Sequence, residues 1–292
     1  MTGAEERRGA FEPRAVWIVM GKEFLDTVRN KWIIAISAIF VILTLVVSYF
    51  GAAQTGGGAG FQGLSDTVTG MVGIEVFIVP ILGLMLSYAA VVGEKEKGSI
   101  LLLLSMPITR LETILGKFLG LASVMMAAIL SGLGIAGAII MVTAGTEGWE
   151  NYLLFILGSM VFALAFLSVG LLLSTITKRR STAMGLAVFI WFFFALIFDL
   201  VLIGIYVATG GSLSFQPGQQ PMLPNWYYAV ASTNPVDAFQ FFTMRAFGIT
   251  QTFGAPINLP SFVTLSTSAL SILLWAAIPL GIALWRFQRQ DI

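Results

Sequence analysis

The sequence has no cysteine and no histidine. Without cysteine there is no disulfide framework and no thiolate metal site. Without histidine the chain lacks the side chain that titrates nearest neutrality and the commonest metal ligand. Charge is scarce too: 11% of the 292 residues are Asp, Glu, Lys or Arg, against roughly 25% in a soluble domain. No Walker-type phosphate loop occurs. These absences exclude His- or Cys-based catalysis and an ATP-hydrolysing motor within the chain, and no catalytic residue, metal site or cofactor of its own is expected. Methionine is the remaining soft ligand. The twelve methionines are scattered, and the one adjacent pair, Met125 and Met126, faces different sides of a helix. They read as packing residues rather than a copper path. A net charge of +1 gives no reason to expect a nucleic-acid partner.

What the chain has in abundance is apolar length. Hydrophobic residues make up 57% of it. Six segments are long enough to span a bilayer, which takes about 20 residues per helix: 32–50, 74–92, 114–142, 153–176, 181–207 and 262–284. The expected fold is an all-α membrane protein with six transmembrane helices. Residues 1–31 form a charged tail followed by an amphipathic helix. In that helix Trp17, Met20, Phe24, Val28 and Trp32 recur at helical spacing, with Lys22, Glu23, Asp26 and Arg29 between them. Such a helix lies in the membrane interface. Residues 32–292 form the transmembrane domain. The first apolar run is longer than the roughly 7–15 residues of a signal h-region, so it reads as a retained span. The glycine-rich 54–63 segment reads as a flexible loop.

Orientation follows from the cations. Of sixteen Lys and Arg, all but Arg245 fall on the side of the N-terminus. The positive-inside rule therefore places both termini in the cytosol and the protein in the cell's inner membrane as a multi-pass chain. Thr109-Arg110-Leu111-Glu112 has the pattern of a capping box and marks the start of the third span. Gly116 and Gly120 form a small-xxx-small pair that fits either a dimer contact or close packing within one chain. Lys117 is placed to snorkel to the inner headgroups.

Between the second and third spans lies Gly93-Glu94-Lys95-Glu96-Lys97-Gly98-Ser99, followed by Ile100 to Leu104 and then Pro107. Its charges keep it out of lipid, and five consecutive aliphatic residues in water need a cover. The segment either folds back on its own helices or docks on a cytosolic partner. The residues expected at such a dock are Ile100, Leu101, Leu103 and Leu104, with Glu94 and Glu96 at the rim, within a coupling loop spanning 93–112. The long outer loop, 208–261, carries Trp226-Tyr227-Tyr228 and a helix start at Asn234-Pro235-Val236-Asp237, with Asn as cap and Pro in the first turn. An amphipathic helix lying on or dipping into the outer leaflet is expected there, with Tyr227, Tyr228, Phe239 and Phe242 as partner contacts. Two acids fall within spans, Glu75 and Asp199. An intramembrane carboxylate is a functional-site candidate; a polar partner on another helix or an outer water-filled vestibule is the plainer explanation.

Six spans, the Lys22-Glu23-Phe24 to Arg29-Asn30-Lys31-Trp32 helix and the charged-then-aliphatic loop from Gly93-Glu94 to Met106-Pro107-Ile108 resemble the ABC-2 class of ABC transporter permeases. Within that class Ala35 to Ala52, Phe198-Asp199-Leu200-Val201-Leu202 and Met222-Leu223-Pro224 to Asn234-Pro235-Val236-Asp237 look like the NosY-type permeases of nitrous oxide reductase maturation. The resemblance implies a homodimer of this subunit and a separate cytosolic ABC ATPase carrying ATP and Mg. It also implies an extracytoplasmic β-helix partner that handles copper-site maturation. Two functions follow as expectations: a transmitter that couples ATP hydrolysis to the outer partner, or an exporter that moves a small or lipid-like substrate between two copies of the chain.

Overall fold

The structure is a computed structural model that describes residues 11–50, 60, 64–98, 108–211, 223–249, 251–252, 255–256 and 258–290. Among them the chain is helical apart from one antiparallel pair of two-residue strands, Gln251–Thr252 with Ala255–Pro256. Six helices are long and apolar enough to cross a membrane.

Helix α1 (Pro13–Val28) starts on a proline at its first turn, where the missing N–H costs nothing. Helix α2 (Lys31–Phe50) follows after a break of two residues. Helix α3 (Leu64–Ser87) starts ten residues before the expected span. The extension is polar in part, but Leu64, Thr67, Val68, Met71 and Val72 lie buried on one face, so packing carries the helix through Ser, Thr and Gly. The short helix α4 (Val92–Glu96) closes this hairpin side. Helix α5 (Arg110–Ala144) opens at the expected capping box: Thr109 accepts from Glu112 N and Glu112 accepts from Thr109 N. Helices α6 (Trp149–Ile176) and α7 (Arg180–Ala208) complete the fourth and fifth spans. Helix α7 contains a π-turn at Phe193–Ile197. Helices α8 (Asn225–Ala231) and α9 (Pro235–Phe247) lead to the last span, α10 (Leu265–Gln288). Glu12, just before α1, and Gln290, just after α10, both lie beside the start of α5, on what is here the terminal face.

The core is organised on α6. It packs against α3, α5, α9 and α10, and 72% of its apolar stretch is buried, against 11% for α7 and 17% for α2. Phe155, Phe162 and Phe166 fill its inward side. Helices α2, α7 and α10 thus offer apolar flanks to lipid or to another protein.

Helix α1 does more than lie at the interface. It runs along α5, and Gly116 and Gly120 are where the two backbones meet. A Cβ on Gly116 would sit 2.5 Å from Val19 Cβ, and one on Gly120 would sit 2.7 Å from Glu23 Cβ and 2.8 Å from the Met20 carbonyl oxygen. The small-xxx-small pair therefore serves packing within one chain. Gly116→Leu should force α1 away from α5, at about 1–3 kcal/mol for overpacking. The thermal midpoint should fall and residues 13–28 should become protease-accessible; an unchanged midpoint with α1 still protected would contradict this contact.

A charged hub on the terminal face and a latch on the far face

The terminal face assembles its charges around Lys117. This residue is 1% exposed, about two turns into α5. Its ammonium donates to Glu94 Oε1 at 2.7 Å and to Glu23 Oε2 at 3.0 Å. The two carboxylates come from α4 and α1, so one cation joins three elements. Lys22 adds to it at 3.6 Å from Glu94, and also pairs with Asp26. Burial acts to lower the Lys22 pKa, but the carboxylates of Glu94, Glu23 and Asp26 outweigh it and raise the value above the usual lysine range.

The rest of the coupling segment is tied as closely. Ser174 Oγ on α6 accepts from the backbone N–H groups of Val91 and Val92 at 2.9 and 3.0 Å. Lys95 donates to the Thr175 carbonyl and to Gln290 beyond the last span. Glu96 accepts from the backbone N–H of Arg180, the first residue of α7, at 2.8 Å. Arg180 in turn donates to Tyr88 Oη and covers its ring. Glu112 closes its own capping box and also receives the N–H of Glu12, which fixes the start of α1.

The sequence places Lys117 at the headgroups; the structure places it in the protein, because two carboxylates offer a better partner than water at that depth. Glu94 and Glu96, expected at the rim of a dock, are engaged inside the subunit. Ile100, Leu101, Leu103 and Leu104 lie outside the described residues. The hub went unread because its three members are far apart in sequence. The available signal was Lys117, a single cation within a span, with the Gly116 and Gly120 pair beside it to let a second helix approach.

On the far face the expected partner contacts separate. Phe239 is fully buried, stacked on Phe162 with ring centroids 4.4 Å apart, and also against Phe155. Phe242 fits over Gly158, where a Cβ would come within 2.5 Å of its ring. Tyr228 is buried and Tyr227 half-buried. Helix α9 thus enters the bundle instead of lying on the leaflet. Its apolar face finds aromatic partners and a glycine gap on α6.

Asn234 anchors this helix. Its Oδ1 caps Val236 N–H at 2.9 Å, while its amide donates to Asp237 and, at 3.0 Å, to the carbonyl of Phe194. Phe194 belongs to the π-turn of α7, and a π-turn shifts the helical hydrogen-bond ladder and leaves carbonyls available. Asp199 of α7 and Asp237 of α9 lie close enough to interact. Glu75 is 1% exposed, and Ser159 Oγ on α6 lies 2.7 Å from its Oε2. The same hydroxyl lies 2.8 Å from the Phe155 carbonyl. Among the described residues no group of acidic side chains is arranged to hold a metal ion.

A family model described as ABC-2 family transporter protein matches residues 17–292. The chain belongs to the ABC-2 family. Its relatives include the probable ABC transporter permease protein NosY of Pseudomonas aeruginosa, 35% identical over 284 residues, covering 95% of this chain and 99% of the relative. The protein of the same name in Stutzerimonas stutzeri is 32% identical over 288 residues, covering 94% and 98%. The permease of this family is the non-catalytic membrane component.

Losing the hub cation should be more harmful than losing the whole cluster. In Lys117→Met two carboxylates remain with little solvent and no cation between them, at about 1–3 kcal/mol given their residual exposure. Adding Glu23→Gln and Glu94→Gln should restore part of the lost thermal stability. If the triple variant melts lower than the single one, the carboxylates are not held by Lys117.

Proposed function

We propose that this permease subunit transmits motion from a cytosolic ABC ATPase to an extracytoplasmic partner in copper-site maturation of nitrous oxide reductase. The terminal face is the cytosolic one, in accord with the distribution of Lys and Arg. The relatives' names support the assignment to a NosY-type complex, and the outer partner is the β-helix protein that the family resemblance implies.

The observation that carries the reading is the fixation of α7. Little of this helix is buried, yet it is held at its start and again at its middle. At its start, Glu96 of the coupling segment holds the Arg180 N–H. Further along, the π-turn carbonyl of Phe194 is held by Asn234 of α9. A displacement of the 93–98 segment is passed along α7 to α9, and the hub obliges α1 and α5 to follow. Coupling between remote sites needs such a contiguous element. The apolar flanks of α2, α7 and α10 suit assembly with a second copy. The outer contact moves from Phe239 and Phe242 to the rim formed by Trp226, Tyr227 and Val230, of which Trp226 and Val230 are exposed.

The ATPase docks on the aliphatic run 100–104. Leu103→Asp would bury an unpaired carboxylate in that contact. Co-purification of the ATPase subunit should fall at least tenfold while the permease still inserts and retains its thermal midpoint. Full ATPase retention in this variant would contradict the dock.

A further inference from the structure

A cavity of about 700 Å³ opens on the terminal face beside the hub. It lies within the usual range of small-ligand sites. We propose that it holds one zwitterionic phospholipid of the inner leaflet, with a phosphate and a primary ammonium in its headgroup. The leaflet assignment rests on the cytosolic reading of the terminal face.

The lining divides by depth. At the mouth stand two cations, Lys97 and Arg180, and the carboxylates of Glu23, Asp26 and Glu94. Lys97, Arg180 and Asp26 are exposed. Below them the wall is Ile33, Ile36, Leu82, Met85, Leu121 and Met125, which come from α2, α3 and α5. From Leu121 to Ala128 the lining descends seven residues of α5, about 10 Å by helix rise. A site that is charged with both signs at headgroup level and apolar below, apart from Ser37, matches an amphiphile in polarity and depth. Water would find little beyond the Ser37 hydroxyl among the side chains of the lower part, and an empty space would forfeit the dispersion contacts of its walls. Glu23 and Glu94 stay with Lys117. A zwitterion places its phosphate on Lys97 and Arg180 and its ammonium on Asp26, whose pair with Lys22 is exposed to solvent; an anionic lipid would leave Asp26 without that ammonium.

The position gives this lipid a part to play. Its headgroup would sit between α1 and the 93–97 segment, and Arg180 begins α7. The bound lipid therefore fills the space around the hub and supports the packing through which the coupling segment reaches α7.

Native mass spectrometry of the permease–ATPase complex, supplied with phosphatidylethanolamine or phosphatidylglycerol, tests the proposal. The wild-type complex should retain about one phosphatidylethanolamine per permease copy, and at least tenfold less phosphatidylglycerol. Ala128→Phe fills the lower part of the cavity and should abolish retention. Lys97→Glu, at an exposed position that leaves the fold intact, should reduce it at least fivefold. Leu200→Phe, on the exposed flank of α7, should change nothing. No retained lipid, equal retention of the two lipids, or undiminished retention in Ala128→Phe and Lys97→Glu would overturn the proposal. None of these outcomes bears on ATPase docking, which is read separately from the ATPase mass in the same spectra.

Discussion

The ammonium of Lys117, held between Glu23 and Glu94, is the contact on which the terminal half of the structure depends. A cation so deep in an apolar helix has to be neutralised, and the only way the chain does so is to bring α1 and α4 onto α5. Gly116 and Gly120 make the approach possible by removing the side chains that would stand in its way. The desolvation cost of such a cluster consumes much of its Coulomb energy. Its effect is therefore on geometry more than on net stability: three elements that are separate in sequence acquire one relative position.

The far half is held by different physics. Helix α9 is seated by aromatic stacking on α6 and by the glycine gap at Gly158, and polar contacts to α7 and α10 fix its orientation. Asn234 satisfies its own helix start and a π-turn carbonyl together. Trp275 and Ser271 of α10 donate to the Thr233 and Ser232 carbonyls at the turn before it. Between the two halves, α6 is the most deeply packed span, while α7 is exposed along most of its length and hydrogen-bonded to its neighbours at Arg180, Trp191 and Phe194. Its sparse burial suits the lever role proposed for it.

The six spans and the start of α5 were legible in the sequence because apolar length and the Thr109–Glu112 capping box are local signals. So was the start of α9 at Asn234-Pro235. The depth of α9 was not, because an amphipathic pattern looks the same whether its apolar face meets lipid or the phenylalanines of α6. The hub was invisible for a related reason. Lys117 by itself fits snorkelling, and only the fold shows that Glu23, 94 residues away, and Glu94 reach it. The early start of α3 was hidden by Ser, Asp, Thr and Gly, whose weak helix propensity is overridden by burial of the alternate side. The sequence left open whether the two intramembrane acids, Glu75 and Asp199, face a polar partner, a vestibule or a functional site; Ser159, which lies beside Glu75, is on an element that the sequence could not bring there.

The central claim is that the coupling segment, α1 and α5 move as one block and that α7 carries the displacement to α9. The absence of native cysteine makes spin labelling clean. In the reconstituted permease–ATPase complex, labels at positions 29 and 97 report the block, and labels at 233 in the two copies report the far face. On trapping the ATP-bound state, the 29–97 distance distribution should stay unchanged while the 233–233 distribution shifts. A changed 29–97 distance with a static 233–233 distance would contradict the account.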